Sequence, residues 1–414
     1  MRVEENVTGG ETRARRRSFY RGCAAAVLCA AAVAAGCGDD SGDAVGTTGT
    51  SGTGAGGTGG EGGRGASAGC LDPALYADVL SIADPALCAV AVYTADVELG
   101  YTVSPTWGRQ GGPLLSLPAS DGGIEIRRLT PPAGVTGALS AASTTVDADA
   151  PADAFVGAQA LDLPFFDWTA VSWAGPYPDT QGEVILLEGS LIAARYPVNA
   201  FFSGAGIAAR GAARGGRLLY TGLSALEDAA SSVNALYAAD SCGSPGQGAR
   251  LLPDGDPSCT PPAMIAAWGD FSGPLAADLD GNAFVVLPSF AGDQEARGFA
   301  AEAIARDAPP TEGAPLFTFL GSGSSLAALA PAADAPGLLA FQPTDPSTLA
   351  PLDPVAVRYA VGGGAVQAEG APVPLIALAT PETLVVLLSD ADGRLWIGAP
   401  SPGGGTTFVV LGRP

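Results

Sequence analysis

The stretch DADGRLWIGAPS, residues 390–401, places a turn signal before a short apolar run, and this pattern recurs along the chain. Residues 216–224, GRLLYTGLS, repeat its glycine, arginine, apolar run, small residue and serine. Looser copies begin at Gly182 (GEVILLEGS), Asn234 (NALYAADS), Gly281 (GNAFVVLPS) and Gly337 (GLLAFQPTD). Such self-similarity is typical of folds that use one supersecondary unit several times.

The composition around these copies indicates many short strands. The chain holds 59 Gly and 34 Pro, helical periodicity is scarce, and short apolar runs alternate with turn signals. Copies that start at 234, 281, 337 and 393 are 47, 56 and 56 residues apart, which suits propeller blades. The starts at 182 and 216 leave spacings of 34 and 18, too short unless one copy is spurious. We predict an all-β fold, a β-propeller of six or seven blades, over residues 70–414.

One or two short helices are expected beside the strands. The first follows an N-cap signal at Asp72-Pro73 and would place these apolar residues on one face: Leu75, Val79 and Ile82. A second would begin at Ser224, which has capping-box spacing to Glu227. Residues 293–306 fit either a helix or a strand.

The unit at 390–398, DADGRLWIG, resembles the D-x-x-G-x-[LI]-W-[IV]-G unit of propeller repeats in bacterial sensor proteins. Residues 278–285, DLDGNAFV, form a weaker copy without the tryptophan. The resemblance covers these two units and implies a fold more than a role. In D-x-D-G, an Asp that bonds its own backbone and a Gly with positive φ predict a hairpin corner.

The N-terminus has the pattern of an export signal. An Arg-rich region is followed by an apolar, Ala-rich stretch at 22–35, which is too short to span a bilayer as a helix. The run Val33-Ala34-Ala35-Gly36-Cys37 resembles the lipobox of bacterial lipoproteins. That resemblance implies removal of residues 1–36 as a signal peptide and fatty acylation of Cys37, for example with palmitate. An ordinary secretory signal with an accidental cysteine is the alternative.

Export route and destination are indicated by neighbouring residues. Arg16-Arg17-Ser18-Phe19 resembles a twin-arginine signal, with general secretion as the alternative. Gly38, rather than Asp, follows the lipidated cysteine, which resembles lipoproteins sent to the outer membrane. Residues 38–69 are rich in Gly, Thr and Ser, a composition typical of a flexible chain. We therefore predict that residues 37–69, which begin at the lipidated cysteine, form a flexible tether with a span of roughly 30 Å. In layout the chain resembles uncharacterised Gly-tethered lipoproteins of GC-rich bacteria.

The composition excludes several kinds of chemistry. The chain has no His and no Lys, so all 20 basic residues are Arg. This rules out Ser-His-Asp and Cys-His catalysis, Schiff-base chemistry and His-ligated metals. Without residues 1–36, which hold six Arg and three Glu, the charge is 14 − 39 = −25. A body this acidic disfavours nucleic acid and anionic lipid surfaces, and nucleic acid is not an expected partner.

Four cysteines follow the lipidated one: Cys70, Cys88, Cys242 and Cys259. An even number in an exported domain predicts disulfides. Three pairings are open, and proximity along the chain favours Cys70–Cys88 and Cys242–Cys259.

Two groups of polar residues are candidate sites. Asp278, Asp280 and Asn282 alternate oxygen ligands as in a calcium loop, although the Glu expected near position twelve is replaced by Ser289. A plain β-turn is the alternative, and otherwise no cofactor is expected. Residues 292–299 hold a polar cluster that could bind a partner through Asp293, Glu295 and Arg297, with internal pairing of Glu295 and Arg297 as the alternative.

An aromatic group is the third candidate site. Trp168, Trp173 and Tyr177 stand close to Phe165 and Phe166, and such rings could stack on a sugar or a proline. Packing in the core and in turns is the alternative interpretation.

We expect a lipid-anchored binding or scaffolding module of the bacterial cell envelope. Its partner would be an envelope protein or polysaccharide, and we expect a binding role rather than an enzymatic one. The main alternative is a carboxylate-dependent, glycan-active enzyme on a propeller, which needs two facing carboxylates. Glu183, Glu188, Asp270 and Asp293 are candidates, but nothing in the sequence pairs them. A third alternative is a subunit that only packs against an envelope assembly.

Overall fold

The computed structural model describes residues 69–99, 105–108, 110–119, 123–147, 159–162, 168–174, 181–199, 207–210, 217–225, 232–240, 263–268, 274–288, 293–304, 313–320, 323–348 and 350–413. These residues form 28 strands and one helix, a single 3-10 turn of three residues. No helix in this part of the chain is long and apolar enough to cross a membrane.

The N-terminal segment precedes the repeated units and contains a 3-10 helix (Pro73–Leu75), strand β1 (Leu80–Ile82) and strand β2 (Cys88–Ala95). Asp72 caps the 3-10 helix, as predicted, by accepting a hydrogen bond from the Ala74 N–H. The predicted continuation of this helix to Ile82 is wrong, because β1 pairs as an antiparallel ladder with residues 376–378. Tertiary pairing overrides the helical spacing of the apolar residues.

Residues 106–199 form the first two blades, each a meander of four antiparallel strands. Blade 1 consists of β3 (Thr106–Gly108), β4 (Gly112–Pro118), β5 (Gly123–Thr130) and β7 (Ser140–Asp147). Strand β6 (Thr136–Ala138) lies between β5 and β7 in the chain but does not belong to this blade. Blade 2 consists of β8 (Gln159–Asp162), β9 (Trp168–Ala174), β10 (Gln181–Glu188) and β11 (Leu191–Asn199).

The next two blades repeat this order. Blade 3 consists of β12 (Ile207–Arg210), β13 (Arg217–Ala225), β14 (Ser232–Asp240) and β15 (Ala263–Trp268). Blade 4 consists of β16 (Leu275–Ala277), β17 (Ala283–Pro288), β18 (Asp293–Phe299) and β19 (Ala314–Leu320). Blades 2 and 3 are joined into one sheet through the pair Asn199↔Leu223.

The last two blades involve both ends of the described chain. Blade 5 consists of β20 (Gly323–Leu329), β21 (Gly337–Pro343), β22 (Val355–Gly362) and β23 (Ala365–Ala368). Two short strands follow it, β24 (Val373–Pro374), which pairs with β22, and β25 (Ile376–Leu378), which pairs with β1. Blade 6 consists of β26 (Val386–Ser389), β27 (Leu395–Pro400), β28 (Thr406–Gly412) and the N-terminal strand β2.

The six blades close into a ring. Their first strands, β3, β8, β12, β16, β20 and β26, contact one another in this order, and β26 in turn contacts β3. Blade 6 is completed by β2, which pairs with β28 from Cys88↔Gly412 to Ala95↔Thr406. Strand β6 adds to β2 in parallel and covers the outer edge of blade 6. The described residues therefore form a six-bladed β-propeller, within the predicted range of six or seven blades.

The repeat found in the sequence marks the second strand of a blade. The copies at 216, 281, 337 and 393 lead into the second strands of blades 3 to 6. The copies at 182 and 234 instead fall on β10 and β14, the third strands of blades 2 and 3, which explains their short spacings. Second strands begin at residues 112, 168, 217, 283, 337 and 395, which are 56, 49, 66, 54 and 58 residues apart.

The helix predicted from Ser224 is wrong, and the segment that fits either a helix or a strand begins as a strand. Ser224 lies inside β13 and pairs with Val233, so it is not a helix N-cap. Residues 293–299 form β18, and a turn follows at 301–304. Both segments lie between partner strands whose backbone groups they must satisfy, and that pairing decides their structure.

The core lies between the faces of neighbouring blades. Between blades 4 and 5, the side chains of Phe284, Phe341 and Tyr359 are at most 1% exposed. Between blades 6 and 1, the Trp396 ring lies 5.3 Å from the Tyr93 ring and 5.0 Å from the Trp107 ring, measured between centroids. Each buried side chain of this size contributes about 1.5–3 kcal/mol relative to an exposed one. Packing between blades is therefore the main stabilising interaction of the ring.

The N-terminal segment is fastened to blades 5 and 6 by three kinds of contact. Cys70 and Cys88 form a disulfide with a Cα–Cα distance of 5.5 Å, which confirms one predicted pairing. Strand β1 pairs with β25, and the buried Asp84 carboxylate accepts two hydrogen bonds from Arg358, at 2.8 and 3.1 Å. Cys242 and Cys259 lie outside the described residues.

The connections between strands alternate between the two ends of the ring. We term the end where first strands turn into second strands the corner face; residues 108–112, 277–283 and 389–395 lie there in blades 1, 4 and 6. Connections from second to third strands, such as residues 343–355, lie at the opposite face. Cys88 pairs with Gly412, next to the corner of blade 6, so the disulfide lies at the corner face.

Candidate functional site at the corner face

Four aspartates are buried among the described residues: Asp84, Asp162, Asp278 and Asp390. Three of them lie where an innermost strand reaches the corner face. Asp162 ends β8 of blade 2, Asp278 follows β16 of blade 4, and Asp390 follows β26 of blade 6. Burying a carboxylate is costly unless it is paired or hydrogen-bonded, so the surroundings of each side chain show what it does.

The corners of blades 4 and 6 share one backbone structure. In blade 4 the Asp278 N–H donates to the Asn282 carbonyl, and the Gly281 N–H donates to the Asp278 carbonyl, both at 3.0 Å. Asp390, Gly393 and Arg394 make the equivalent bonds in blade 6. Gly281 and Gly393 have φ values of 80° and 71°, where only glycine is unstrained. The predicted D-x-D-G hairpin corner is confirmed in both blades.

In blade 6 the Asp390 carboxylate is held by a cation and an indole. Its Oδ2 accepts from Arg394 Nε at 2.8 Å and from Trp396 Nε1 at 3.0 Å, and its Oδ1 accepts from the Arg394 backbone N–H. Burial raises the pKa of the Asp390 carboxyl, and the Arg394 charge and these hydrogen bonds lower it again. Arg394 also pairs with the exposed Asp392. Asp390 therefore orients the tryptophan that packs between blades 6 and 1.

In blade 4 the equivalent Asp278 carboxylate has no arginine among its hydrogen-bond partners in the described part of the chain. It accepts from the Asn282 N–H at 2.9 Å and from Asn282 Nδ2 at 2.8 Å, and its Oδ2 lies 2.5 Å from the Tyr359 hydroxyl oxygen. Burial raises the pKa of the Asp278 carboxyl, while the Tyr359 and Asn282 hydrogen bonds oppose the rise. Since Tyr359 lies on β22, this contact ties blade 4 to blade 5.

In blade 2 the Asp162 carboxylate ties two blades together through an ion pair. Its Oδ1 lies 3.0 Å from Arg128 Nη2 and accepts a hydrogen bond of 2.6 Å from the Thr169 hydroxyl. Arg128 also donates to Thr169 Oγ1 at 2.9 Å. Arg128 lies on β5 of blade 1, whereas Asp162 and Thr169 belong to blade 2. All three corner-face aspartates are thus engaged in contacts within the ring.

The central channel is closely packed. Every innermost-strand side chain whose burial is described, from Thr106 in β3 to Ser389 in β26, is buried. The corners of blades 4 and 6 also approach each other, although blade 5 separates them in the ring. A methyl group at Gly393 would lie 3.7 Å from Leu279 Cδ1. A ligand would therefore meet loops at either face of the ring more readily than the channel walls.

The residues of the calcium hypothesis do not converge on one point. Asp278 is buried and bonded to Asn282 and Tyr359, the Asn282 Oδ1 accepts from the Ala301 N–H at 2.9 Å, and Asp280 is exposed. Within the described ranges, no group of three or more His, Cys, Asp or Glu side chains could hold a metal ion. The geometry is that of a β-turn and gives the calcium hypothesis no support.

The aromatic candidates do not share one surface. Trp168 and Trp173 both lie on β9, but residues five positions apart in a strand project to opposite faces of the sheet. Trp173 is buried between blades 1 and 2, in a cluster with Ile124 and Ile185. Its ring is therefore part of the core. Tyr177 lies outside the described residues.

The polar candidates are divided among several elements. Glu295 and Arg297 on β18 form an ion pair of 2.5 Å, which is the internal pairing considered in the sequence analysis; of Asp293, also on β18, only the backbone is described. Glu183 on β10 pairs with Arg195 at 2.6 Å, whereas Glu188 is exposed at the end of the same strand. Asp270 lies outside the described residues. No two of the described candidates face each other across a cleft.

The sequence analysis missed the inter-blade partners Arg128, Thr169 and Tyr359. The Asp-Gly corners gave a signal for Asp278 and Asp390, because their turn chemistry is local. No comparable signal exists for Tyr359, which lies 81 residues from Asp278. A partner on a neighbouring blade can be found only once the blades are placed side by side.

Known proteins with a similar structure are only distantly similar to this chain. No protein-family model and no curated protein sequence matches the chain. A protein of unknown function from Dyadobacter fermentans is 12% identical, with a TM-score of 0.40, over 80% of this chain and 100% of that protein. The PQQ-bound aldose sugar dehydrogenase of Streptomyces coelicolor is 14% identical, with a TM-score of 0.39, over 80% and 99%.

The fungal lectin of Aleuria aurantia, a six-bladed β-propeller that recognises fucose, is 10% identical, with a TM-score of 0.34, over 78% of this chain and 94% of the lectin. Identities this low carry nothing about function to this chain. The assignment to the six-bladed propellers rests on the strand order and the closed ring of first strands.

Proposed function

We propose that this chain is a lipid-anchored lipoprotein of the bacterial cell envelope whose six-bladed propeller is a binding or scaffolding module. The observation that carries the proposal is the position of the N-terminal segment. It is fastened at the corner face by the Cys70–Cys88 disulfide, so a tether that begins at Cys37 reaches the ring from that side. The opposite face is then the face farther from the point where the tether joins the ring.

The opposite face offers a built loop for recognition. Residues 344–354 join β21 to β22 there, and Asp345 Oδ1 accepts from the Ser347 and Thr348 N–H groups at 2.7 and 2.9 Å. A hydrogen bond of 2.5 Å from the Ser347 hydroxyl, together with the Thr348 and Ser347 N–H bonds, lowers the pKa of Asp345 to about 2, so the turn keeps its charge in ordinary buffers. Leu352 is 43% exposed on this loop. A preformed loop with an exposed apolar side chain at its base suits an envelope protein or a polysaccharide as the partner.

The glycan-active alternative lacks a comparable argument. It needs two carboxylates that face each other with room for a sugar between them. The described acidic residues that are buried are bonded within the ring, and Glu183 and Glu295 are paired with arginines. Among the described residues, the arrangement therefore favours binding over glycoside hydrolysis.

The anchor is tested by replacing Cys37 with serine in the full-length protein expressed in a bacterial host. We expect the variant to leave the membrane fraction for the soluble envelope fraction and to lose incorporation of labelled palmitate, since acyl chains supply stable membrane binding. The matched control is Cys29→Ser, which removes a cysteine ahead of the lipobox and should stay in the membrane. A Cys37→Ser protein that remains membrane-bound and labelled contradicts the anchor.

The presented face is tested by photo-crosslinking in intact cells. A photoreactive residue is placed either at Leu352, on the opposite face, or at Asp392, whose side chain is 71% exposed on the corner face. We expect discrete covalent adducts from position 352 and none above background from position 392, with mass spectrometry identifying the captured partner. Adducts from position 392 alone would show that the corner face is the binding surface.

A further inference from the structure

The Tyr359 hydroxyl contacts two hydrogen-bond acceptors, Asp278 Oδ2 and the Leu329 carbonyl oxygen, but has only one proton to donate. The Tyr359 hydroxyl oxygen lies 2.5 Å from Asp278 Oδ2 and 2.8 Å from the Leu329 carbonyl oxygen. Both groups are fully buried between blades 4 and 5. A phenol has one hydrogen to donate, and a carbonyl oxygen can only accept. If Asp278 were ionised, one of the two contacts would bring two acceptors together without a proton.

We propose that Asp278 is a neutral carboxylic acid that donates its proton to Tyr359, and that this bond is a pH-sensitive latch between blades 4 and 5. The Tyr359 hydroxyl then donates its own proton to Leu329, so that every oxygen in the chain has a partner. Asp278 Oδ2 still accepts from Asn282 Nδ2 at 2.8 Å. The result is a hydrogen-bonded row that runs from the corner of blade 4 into blade 5.

The charges around Asp278 agree with a neutral acid. Asp162 and Asp390, at the same place in blades 2 and 6, are each paired with an arginine at 3.0 and 2.8 Å. Among the described residues, the titratable groups that act on Asp278 are Tyr359 and the acidic Asp280, which lies on the same corner and is exposed. Burial raises the pKa of the Asp278 carboxyl, and the Asp280 charge raises it further. A buried acid without a cation is stabilised by keeping its proton.

The latch weakens as the pH rises. In the unfolded chain an Asp carboxyl loses its proton near a pKa of about 3.9, whereas the folded Asp278 keeps it to higher pH. Above the unfolded pKa the folded state therefore binds one more proton, and its stability falls with rising pH until the folded pKa is passed. Once Asp278 is ionised, the Tyr359 proton is drawn to the carboxylate and the Leu329 carbonyl loses its donor.

Infrared spectroscopy of the full-length, detergent-solubilised protein tests this proposal. At mildly acidic pH, above the usual Asp pKa of about 3.9, we expect a C=O stretch of a protonated carboxylic acid that fades as the pH is raised, that is absent in Asp278→Asn and that persists in Asp162→Asn. The unfolding midpoint of the native protein should also fall relative to Asp278→Asn as the pH rises above about 4. Absence of the protonated band in the native protein, or its persistence in Asp278→Asn, overturns the proposal.

A second variant covers the case in which Asp278→Asn does not fold. Tyr359→Phe keeps the buried ring and removes only the hydroxyl that accepts the Asp278 proton. The protonated band should remain in this variant and move to higher frequency, because the acid loses its hydrogen-bond acceptor. A band that does not move contradicts the role given to Tyr359.

Discussion

Replacement of Asp162 by alanine is expected to destabilise the folded protein by about 3–5 kcal/mol, because it breaks a buried ion pair and leaves the other charge without a partner. The Asp162 side chain is 1% exposed and that of Arg128 is 21% exposed, so water reaches the arginine only in part. Thr169 loses its acceptor as well. Denaturant unfolding at neutral pH measures the change as a lower midpoint.

The matched control is a more exposed ion pair on β5, the strand of blade 1 that also carries Arg128. Glu125 pairs with Arg127 at 2.8 Å, but the side chains are 22% and 26% exposed, so Glu125→Ala should cost less than about 1 kcal/mol. Removal of both partners of the buried pair, by Arg128→Met with Asp162→Leu, should restore most of the stability lost in Asp162→Ala. Equal losses for Asp162→Ala and Glu125→Ala would show that the inter-blade ion pair is unimportant.

Gly337→Ala is expected to destabilise the protein at or beyond the upper end of the about 1–3 kcal/mol typical of overpacked cores. Gly337 lies opposite Tyr359 in the β21–β22 ladder, and an alanine Cβ there would lie 2.3 Å from Tyr359 Cζ. The fully buried ring cannot stay in place, and its hydroxyl would lose the contacts with Asp278 and Leu329. Thermal or denaturant unfolding measures the loss.

The matched control for this substitution is Gly362→Ala, at the end of β22. No atom lies within 4 Å of the position that its Cβ would take. A glycine-to-alanine change in open space lowers the entropy of the unfolded chain and should leave the stability unchanged or raise it by about 0.4–1 kcal/mol. A Gly337→Ala protein as stable as Gly362→Ala would contradict the packing of Tyr359 against Gly337.

Much of the fold could be predicted because the sequence patterns that indicate its turns and strands span only a few neighbouring residues. Turn glycines with positive φ and an Asp that bonds its own backbone lie within five residues of each other at 278–282 and 390–394, and both corners have the predicted geometry. The repeat copies at 216, 281, 337 and 393 mark second strands. The second strands of blades 1 and 2, GPLLSLP and WTAVSWA, were not recognised as copies, since the first has Pro after its glycine and the second has no leading glycine.

The candidate site was harder to predict for a physical reason. Whether Trp173 faces a ligand or the core depends on the position of blade 1, and the partners of Asp162 and Asp278 lie 34 and 81 residues away. The helix predicted up to Ile82 failed in the same way, because β25 offers β1 a ladder that local spacing does not show. Contacts between residues this far apart in the sequence are decided by packing between blades.

The sequence by itself determined the class of fold, the corners and the absence of His and Lys chemistry, and it favoured the Cys70–Cys88 disulfide, since each depends on nearby residues or on composition. The tertiary structure decided the number of blades described, the closure of the ring by β2 and the partners that the buried carboxylates of Asp84, Asp162 and Asp278 have on distant strands. Those features arise when sheets far apart in the chain pack face to face and each buried polar group must find a partner. The protonation proposed for Asp278 belongs to this second group, because no neighbour in sequence supplies the tyrosine that accepts its proton.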